Sequence, residues 1–436
     1  MFFRSPVPIV LCALTCVNSV YPAQAQSGPP FKDRSAIPKS TVQRAARNLS
    51  LTNLPGAGAS SSPAPLRGSF QFPSPSAGSR SKTYAPVAAM PVAATPVIAT
   101  ISGPVRSRVS TPLIGASSDR SRKIAIGAYF FQDGKCAPGD SSAVKAWVKH
   151  VGRLPAVWLI FQGWTGWNEF PAAQAKQARE LNGQLMVTWE PWNGRSGGSQ
   201  WSCAAIASGS QDAYIRRYAR TVRSAGVPVM LRLAHEMNGN WYPWGTAYDA
   251  KGVRHNSNTP QYFVAMWRHI VSIFRQERAD NARWVWAPNI TYMDAHNSLA
   301  DQKRDLAALY PGDGYVDWIG LSVYNDGAQR NWNSFVDLFD TSYQIVTGIS
   351  NKPLMIAEMG ATEAGAPGGT SKAAWIRQTL TQDIPNRYPR VKLVNWFCRD
   401  KTTLGEANYR FDSSPTSLGA FRHAVNLPLY SGRINR

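Results

Sequence analysis

VMLRLAHEMNGNWYPWG, Val229 to Gly245, is the stretch on which the reading of this chain turns. Val227, Val229, Leu231 and Leu233 alternate with period two, as in a strand with a buried face, and the run stops at His235-Glu236. Asn238, Gly239, Trp241, Tyr242 and Trp244 follow at once, so a carboxylate stands among rings just past a strand end. Apolar surroundings push a carboxyl toward its protonated form, and flat rings offer faces to a pyranose; the combination points to sugar chemistry with Glu236 as proton donor. His235-Glu236 also opens like the zinc-binding HExxH helix. That motif needs a second His where this chain has Gly239, and Pro228 and Pro243 suit a strand and loop better than a helix, so no metal is expected.

Working outward, seven further runs read as strands: Ile124 to Phe131, Ala156 to Gln162, Gln184 to Trp189, Arg283 to Ala287, Val316 to Val323, Pro353 to Ala357 and Lys392 to Phe397, with the run quoted above as the fourth of eight, Val227 to Ala234. Helical patterns lie between and after them at Ser141 to Val151, Ala172 to Leu181, Asp212 to Ala225, Pro260 to Gln276, Leu299 to Leu309, Trp332 to Ile349, Lys372 to Pro385 and Ser417 to Val425. Eight strand-plus-helix units predict an α/β fold, the (β/α)8 TIM barrel, over residues 123–430, and no G-x-G-x-x-G favours an open dinucleotide-binding sheet. Active sites of such barrels sit at the strand C-terminal ends, where this chain places Trp164, Trp189, Glu190, Trp192, Glu236, Asn289, Tyr324, Asp326, Glu358, Trp396 and Phe397. Glu236 after the fourth strand and Glu358 after the seventh face each other across part of the mouth. They can approach the roughly 5 to 5.5 Å separation of a retaining glycosidase. Glu190 and Asp326 are rival strand-end acids.

The remainder is of different texture. Residues 1–25 read as a signal peptide, with Arg4, an apolar run from Val7 to Val20, and Ala23-Gln24-Ala25 as cleavage site, which predicts a protein secreted to the periplasm, cell surface or medium. Residues 26–122 are rich in Ser, Pro, Ala and Gly and hold none of the 16 tryptophans, the composition of a disordered tether. About half of the formal charge of +21 lies in residues 1–122, which hold 13 Lys and Arg against 2 Asp and Glu. That pattern suits loose attraction of the tether to acidic surface polymers rather than nucleic-acid binding, for which no motif is present. No later run reaches the roughly 18 apolar residues of a membrane span. Processing leaves Cys136, Cys203 and Cys398, which allow one disulfide from three possible pairs. No cofactor is expected, and the chain reads as a monomer.

HEMNGNWYPWG with Arg232 ahead of it, WAPN at Trp286 to Asn289, DWIGLSVYND at Asp317 to Asp326, MIAEMG at Met355 to Gly360 and NYRFDSSPTSLGAFR near the end together resemble the family 26 glycoside hydrolases, retaining β-glycanases on a (β/α)8 barrel. The likeness runs from Lys123 to about Asn426. It implies Glu236 as general acid/base and Glu358 as nucleophile, His235 and Tyr324 bonding the sugar or the nucleophile, Arg232 holding the carboxylates, and Trp241 and Trp396 lining the cleft. Asn238 and Trp189 join these as candidate substrate contacts. Trp164, Trp167, Trp192, Trp201 and Trp244, in loops on the same side, are expected to meet sugar, whereas Trp147, Trp158, Trp267, Trp284, Trp318 and Trp375 are expected in the core. The implied activity is endo-hydrolysis of a β-1,4-linked polysaccharide of the β-mannan type. Mannanases of the family often read W-F-W-W-G where this chain has Trp241 to Gly245, which keeps mixed-linkage β-glucan open. A non-catalytic polysaccharide-binding surface protein is the alternative of another class.

Overall fold

The computed structural model describes residues 123–129, 142–166, 168–192, 198–248, 252–291, 298–327 and 331–434. The expected signal peptide and tether, with Cys136 and Trp167, lie outside these residues. Eight parallel strands follow one another around a closed barrel: β1 (Ile124–Tyr129), β2 (Val157–Gly163), β3 (Gln184–Glu190), β4 (Val229–Leu233), β5 (Ala282–Trp286), β6 (Trp318–Asn325), β7 (Leu354–Ala361) and β8 (Val391–Phe397). β8 pairs with β1 and β1 with β2, which closes the ring. A two-residue β9 (Tyr430–Ser431) pairs parallel to β1 outside it. The helices are α1 (Ser142–Val151), α2 (Ala172–Glu180), α3 (Cys203–Ala207), α4 (Asp212–Ala225), α5 (Pro260–Gln276), α6 (Leu299–Ala308), α7 (Phe335–Ile349), α8 (Lys372–Gln378), α9 (Ile384–Arg387) and α10 (Pro415–Val425).

Two apolar layers follow from strand alternation. Ala125, Leu159, Met186, Met230, Val285, Met355 and Leu393 pack inside the barrel, and the alternate residues pack outward under the helices with Trp147, Trp267 and Trp375. The strands lie so close that Gly127 on β1 has no room for a side chain: a Cβ there would sit 2.3 Å from Asn395 Oδ1 of β8. Local chemistry ends the helices where expected. Gly226, at φ 68°, caps α4, and the serines Ser298 and Ser334 form capping boxes with Asp301 and Asp337 at the starts of α6 and α7. The helix expected from Lys372 to Pro385 is not uniform. Pro385 cannot donate to the carbonyl one turn back, and the helix opens into a π-helical stretch, Thr379–Asp383, before α9. α3 was not anticipated; its five residues are too few to show a period.

No helix among the described residues is long and apolar enough to cross a membrane. Cys203 and Cys398 are both free and buried, so the pair expected as one of three possibilities does not form between them. Burial pushes the Cys398 thiol up to about 12, and the Cys203 thiol higher still, which keeps both inert.

Candidate active site

Glu358 lies inside β7 rather than past its end, and a bulge aims it. Leu321 of β6 is level with Ile356 but Ser322 is level with Glu358, so Ala357 is an extra residue that lets two successive side chains face inward. Arg232 of β4, fully buried, donates from Nη1 to Glu358 Oε1, from Nη1 to Thr188 Oγ1 at 3.3 Å, and from Nη2 to Ser322 Oγ at 2.7 Å. Tyr324 of β6 donates its hydroxyl to Glu358 Oε2 at 2.5 Å. Both carboxylate oxygens are therefore held, one by a cation and one by a hydroxyl, in a charge-assisted arrangement that fixes the group in space.

Glu236 is aimed by a different device. Beyond β4 the chain passes through two left-handed residues, Ala234 at φ 41° and Glu236 at φ 55°, a conformation that costs on the order of 1–3 kcal/mol per residue and persists where packing imposes it. Hydrogen bonds from Ala234 N to Trp189 O (3.0 Å) and from Glu236 N to Ala287 O (2.7 Å) impose it here. Glu236 is fully buried, and Trp241 Nε1 donates to its Oε2 at 2.9 Å. His235 is locked by its neighbours: its Nε2 meets Tyr242 Oη at 3.1 Å, and its carbonyl accepts from Trp244 Nε1 at 2.7 Å. Tyr242 stacks on Trp244 with centroids 4.5 Å apart, and Trp192 stands edge-on to both.

Oxygens of Glu236 and Glu358 and a ring nitrogen of His235 lie within 4.8 Å of one another. Such a trio could in principle ligate a metal. Here each member already has a hydrogen-bond partner, Arg232 donating to Glu358, Trp241 donating to Glu236 and the Tyr242 hydroxyl paired with His235, and the guanidinium supplies a positive charge at the trio. Burial, then the charge of Glu358, push the Glu236 carboxyl above its ordinary range, against Arg232 and the Ser322 and Trp241 hydrogen bonds. Burial and Arg232 hold His235 well below its usual value, so it is a neutral imidazole.

Other expected site residues fall elsewhere. Trp189 points outward from β3, stacked on Tyr218 of α4 at 4.4 Å, and Trp396 points outward from β8 against Trp375 and Phe421; both are fully buried, and neither lines the mouth. The inward ring of β8 is Phe397, stacked on Tyr129 of β1 at 5.2 Å. Asn238 spends its amide on the loop after β5, donating to Asn289 O and accepting from Asn289 N, both at 2.9 Å, so it clamps two loops together. Trp164, Trp192, Trp201 and Trp244, expected at sugar, are buried against other rings. Trp241 is the partly exposed tryptophan that contacts a site carboxyl. The rival acid Asp326 accepts from Tyr409 Oη at 3.1 Å. Thr188 and Ser322 are site residues that the sequence reading passes over, though Ser322 and Tyr324 at i and i+2 mark one strand face, and Tyr242 is read only as one of the rings beside Glu236.

These placements separate two tryptophans in a single comparison. Trp396→Ala should cost about 3–5 kcal/mol of stability while kinetics per folded molecule stay near those of the parent. Trp241→Phe keeps the ring but removes the N–H that favours ionised Glu236, so the alkaline fall of kcat/KM should move to higher pH with little change in melting temperature. Equal thermal and kinetic behaviour of the two variants would contradict the placement.

A barrel whose C-terminal mouth holds two buried carboxyls this close has the arrangement of a glycoside hydrolase site. Comparisons agree. The model of glycosyl hydrolase family 26 matches residues 210–379, which include Glu236 and Glu358. Endoglucanase H of Acetivibrio thermocellus is 33% identical over 290 residues, 66% of this chain and 29% of that protein. A mannan endo-1,4-beta-mannosidase of Bacillus subtilis (strain 168) is 32% identical over 171 residues, 39% of this chain and 38% of that protein. This chain thus spans well under half the length of either relative. The structure of a modular endo-beta-1,4-mannanase from Cellulomonas fimi shares the fold, with 20% identity and a TM-score of 0.52 over 72% of this chain and 74% of that one. The matches support assignment of the barrel to glycosyl hydrolase family 26.

Proposed function

We propose that this chain is a secreted endo-β-glycanase that cleaves a β-1,4-linked polysaccharide by retaining double displacement. The observation that carries the reading is that oxygens of Glu236 and Glu358 lie within 4.8 Å of each other, on the retaining side of the division between the roughly 5–5.5 Å carboxyl spacing of retaining enzymes and the ~6.5–9.5 Å that leaves room for an inverting water. In the first step Glu358 Oε attacks the anomeric carbon, the bond to the leaving oxygen breaks, and Glu236 gives that oxygen its proton. In the second, Glu236 takes a proton from water, which attacks the same carbon and releases Glu358. The reading also accounts for the pH sense. Glu236 must begin protonated, so kcat/KM should fall as pH rises through its raised value, a loss measurable as the alkaline limb of the profile.

Two backbones remain in play. The mannan reading draws on the similarity to mannan endo-1,4-beta-mannosidases; the glucan reading draws on the similarity to Endoglucanase H, which extends over 290 residues against 171. A panel of mannan, galactomannan, barley β-glucan, lichenan, xylan and β-1,3-glucan, with product sizes followed over time, decides between them. Early intermediate-sized fragments support endo cleavage. Binding without hydrolysis of any member would make this a polysaccharide-binding protein.

A further inference from the structure

Glu190 is a third carboxyl at the mouth, and the two-step reaction does not use it. It ends β3 on the inward face, two residues past Thr188, whose hydroxyl accepts from Arg232. Its backbone carbonyl accepts from Trp192 N at 2.8 Å and its Oε2 from Trp192 Nε1 at 3.3 Å, so a tight turn fixes the carboxyl. The opposite face of β3 is sealed by Trp189 on Tyr218, and Glu190, at the C-terminal end of the strand, keeps a residual 8% exposure.

Charge balance decides its state. Arg232 of β4, Glu236 and Tyr242 of the following loop, and Glu358 of β7 are charged or titratable groups that act on it. Arg232 is committed to Glu358, and His235 is neutral. One buried cation cannot neutralise three buried carboxylates, so ionisation of a further acid beside Glu358 is disfavoured. A buried acid kept neutral has an O–H, and a neutral carboxylic acid is a directional donor.

We infer that Glu190 is a substrate-binding residue of this site, donating a hydrogen bond from its carboxylic acid to a hydroxyl of the sugar held at the mouth. The inference rests on the glycanase reading above. Burial, reinforced by Glu358 and Glu236 and opposed by Trp192 and Arg232, pushes the Glu190 carboxyl up to about 8. Below that pH it donates; above it the group ionises, can only accept, and places a second negative charge beside Glu358. The contribution is therefore lost as pH rises through about 8.

The test compares wild type, Glu190→Gln and Glu190→Ala by kcat/KM on the best substrate of the panel from pH 6 to 9.5. Alanine should lower kcat/KM at pH 6 by about tenfold or more, because a donor is removed. Glutamine, whose amide N–H₂ donates without titrating, should recover most of that loss. The ratio of the Gln variant to wild type should climb as pH passes 8, because only wild type then loses its donor. Gln no better than Ala, or a ratio flat across the range, would overturn the inference while leaving the glycanase reading intact. A wild-type protein inactive on every substrate would overturn both.

Discussion

Glu358→Ala is expected to lower turnover on polysaccharide on the order of 10⁴-fold or more, and millimolar azide to restore a measurable part of it on an activated aryl glycoside. The truncation removes the proposed attacking oxygen and leaves a hole beside the Arg232 guanidinium, where a small anion can sit and attack the anomeric carbon itself. The product would be a glycosyl azide of inverted configuration. The same change strips a buried arginine of its partner, at about 3–5 kcal/mol of stability, so the folded fraction has to be measured on the same preparation. Azide, being an anion, should also raise the melting temperature of the variant. A folded Glu358→Ala protein that hydrolyses polysaccharide at the parent rate would remove Glu358 from the chemistry.

Glu236→Ala separates two kinds of substrate. Polysaccharide leaves as a poor alkoxide and needs the proton, so kcat/KM should fall on the order of 10³-fold, toward the upper part of the range for a positioned acid. A dinitrophenyl glycoside leaves without help, and its first step should be nearly spared. The second step then lacks its base, so the glycosyl-enzyme should accumulate and appear as a burst of phenol followed by slow turnover. The alkaline limb should vanish with the group that causes it. Equal losses on both substrates, with no burst, would mean that Glu236 positions the sugar rather than protonating it.

The barrel was legible because eight apolar runs alternate with amphipathic helical patterns, and α4 and α5 carry the ends that were read for them, Asp212–Ala225 and Pro260–Gln276. Glu236 and Glu358 were legible because a carboxylate past an apolar run needs a reason to be there. The direction of the rings was not. In a parallel barrel both strand faces are apolar, so alternation alone does not say which of Trp189 and Glu190, or Trp396 and Phe397, points inward. A signal existed in β3, where Thr188 and Glu190 at i and i+2 mark the polar, inward face and send Trp189 outward. The bulge at Ala357 and the left-handed turns at Ala234 and Glu236 left no such mark, since neither alanine nor glutamate advertises a positive φ. The loop tryptophans misled for a related reason: Trp244 and Trp192 brace His235 and Tyr242 from behind, and a ring that supports a site has the same sequence neighbourhood as a ring that lines it.

The central claim is that Glu358 bonds to the sugar and Glu236 manages the protons, so that two inversions at one carbon give net retention. Proton NMR of the reducing-end anomers during the first minutes of hydrolysis, before mutarotation, tests it directly on whichever β-linked substrate the panel selects. The β-anomer appearing first, with the α-anomer growing in later at the mutarotation rate, is the predicted result; the α-anomer appearing first would contradict it.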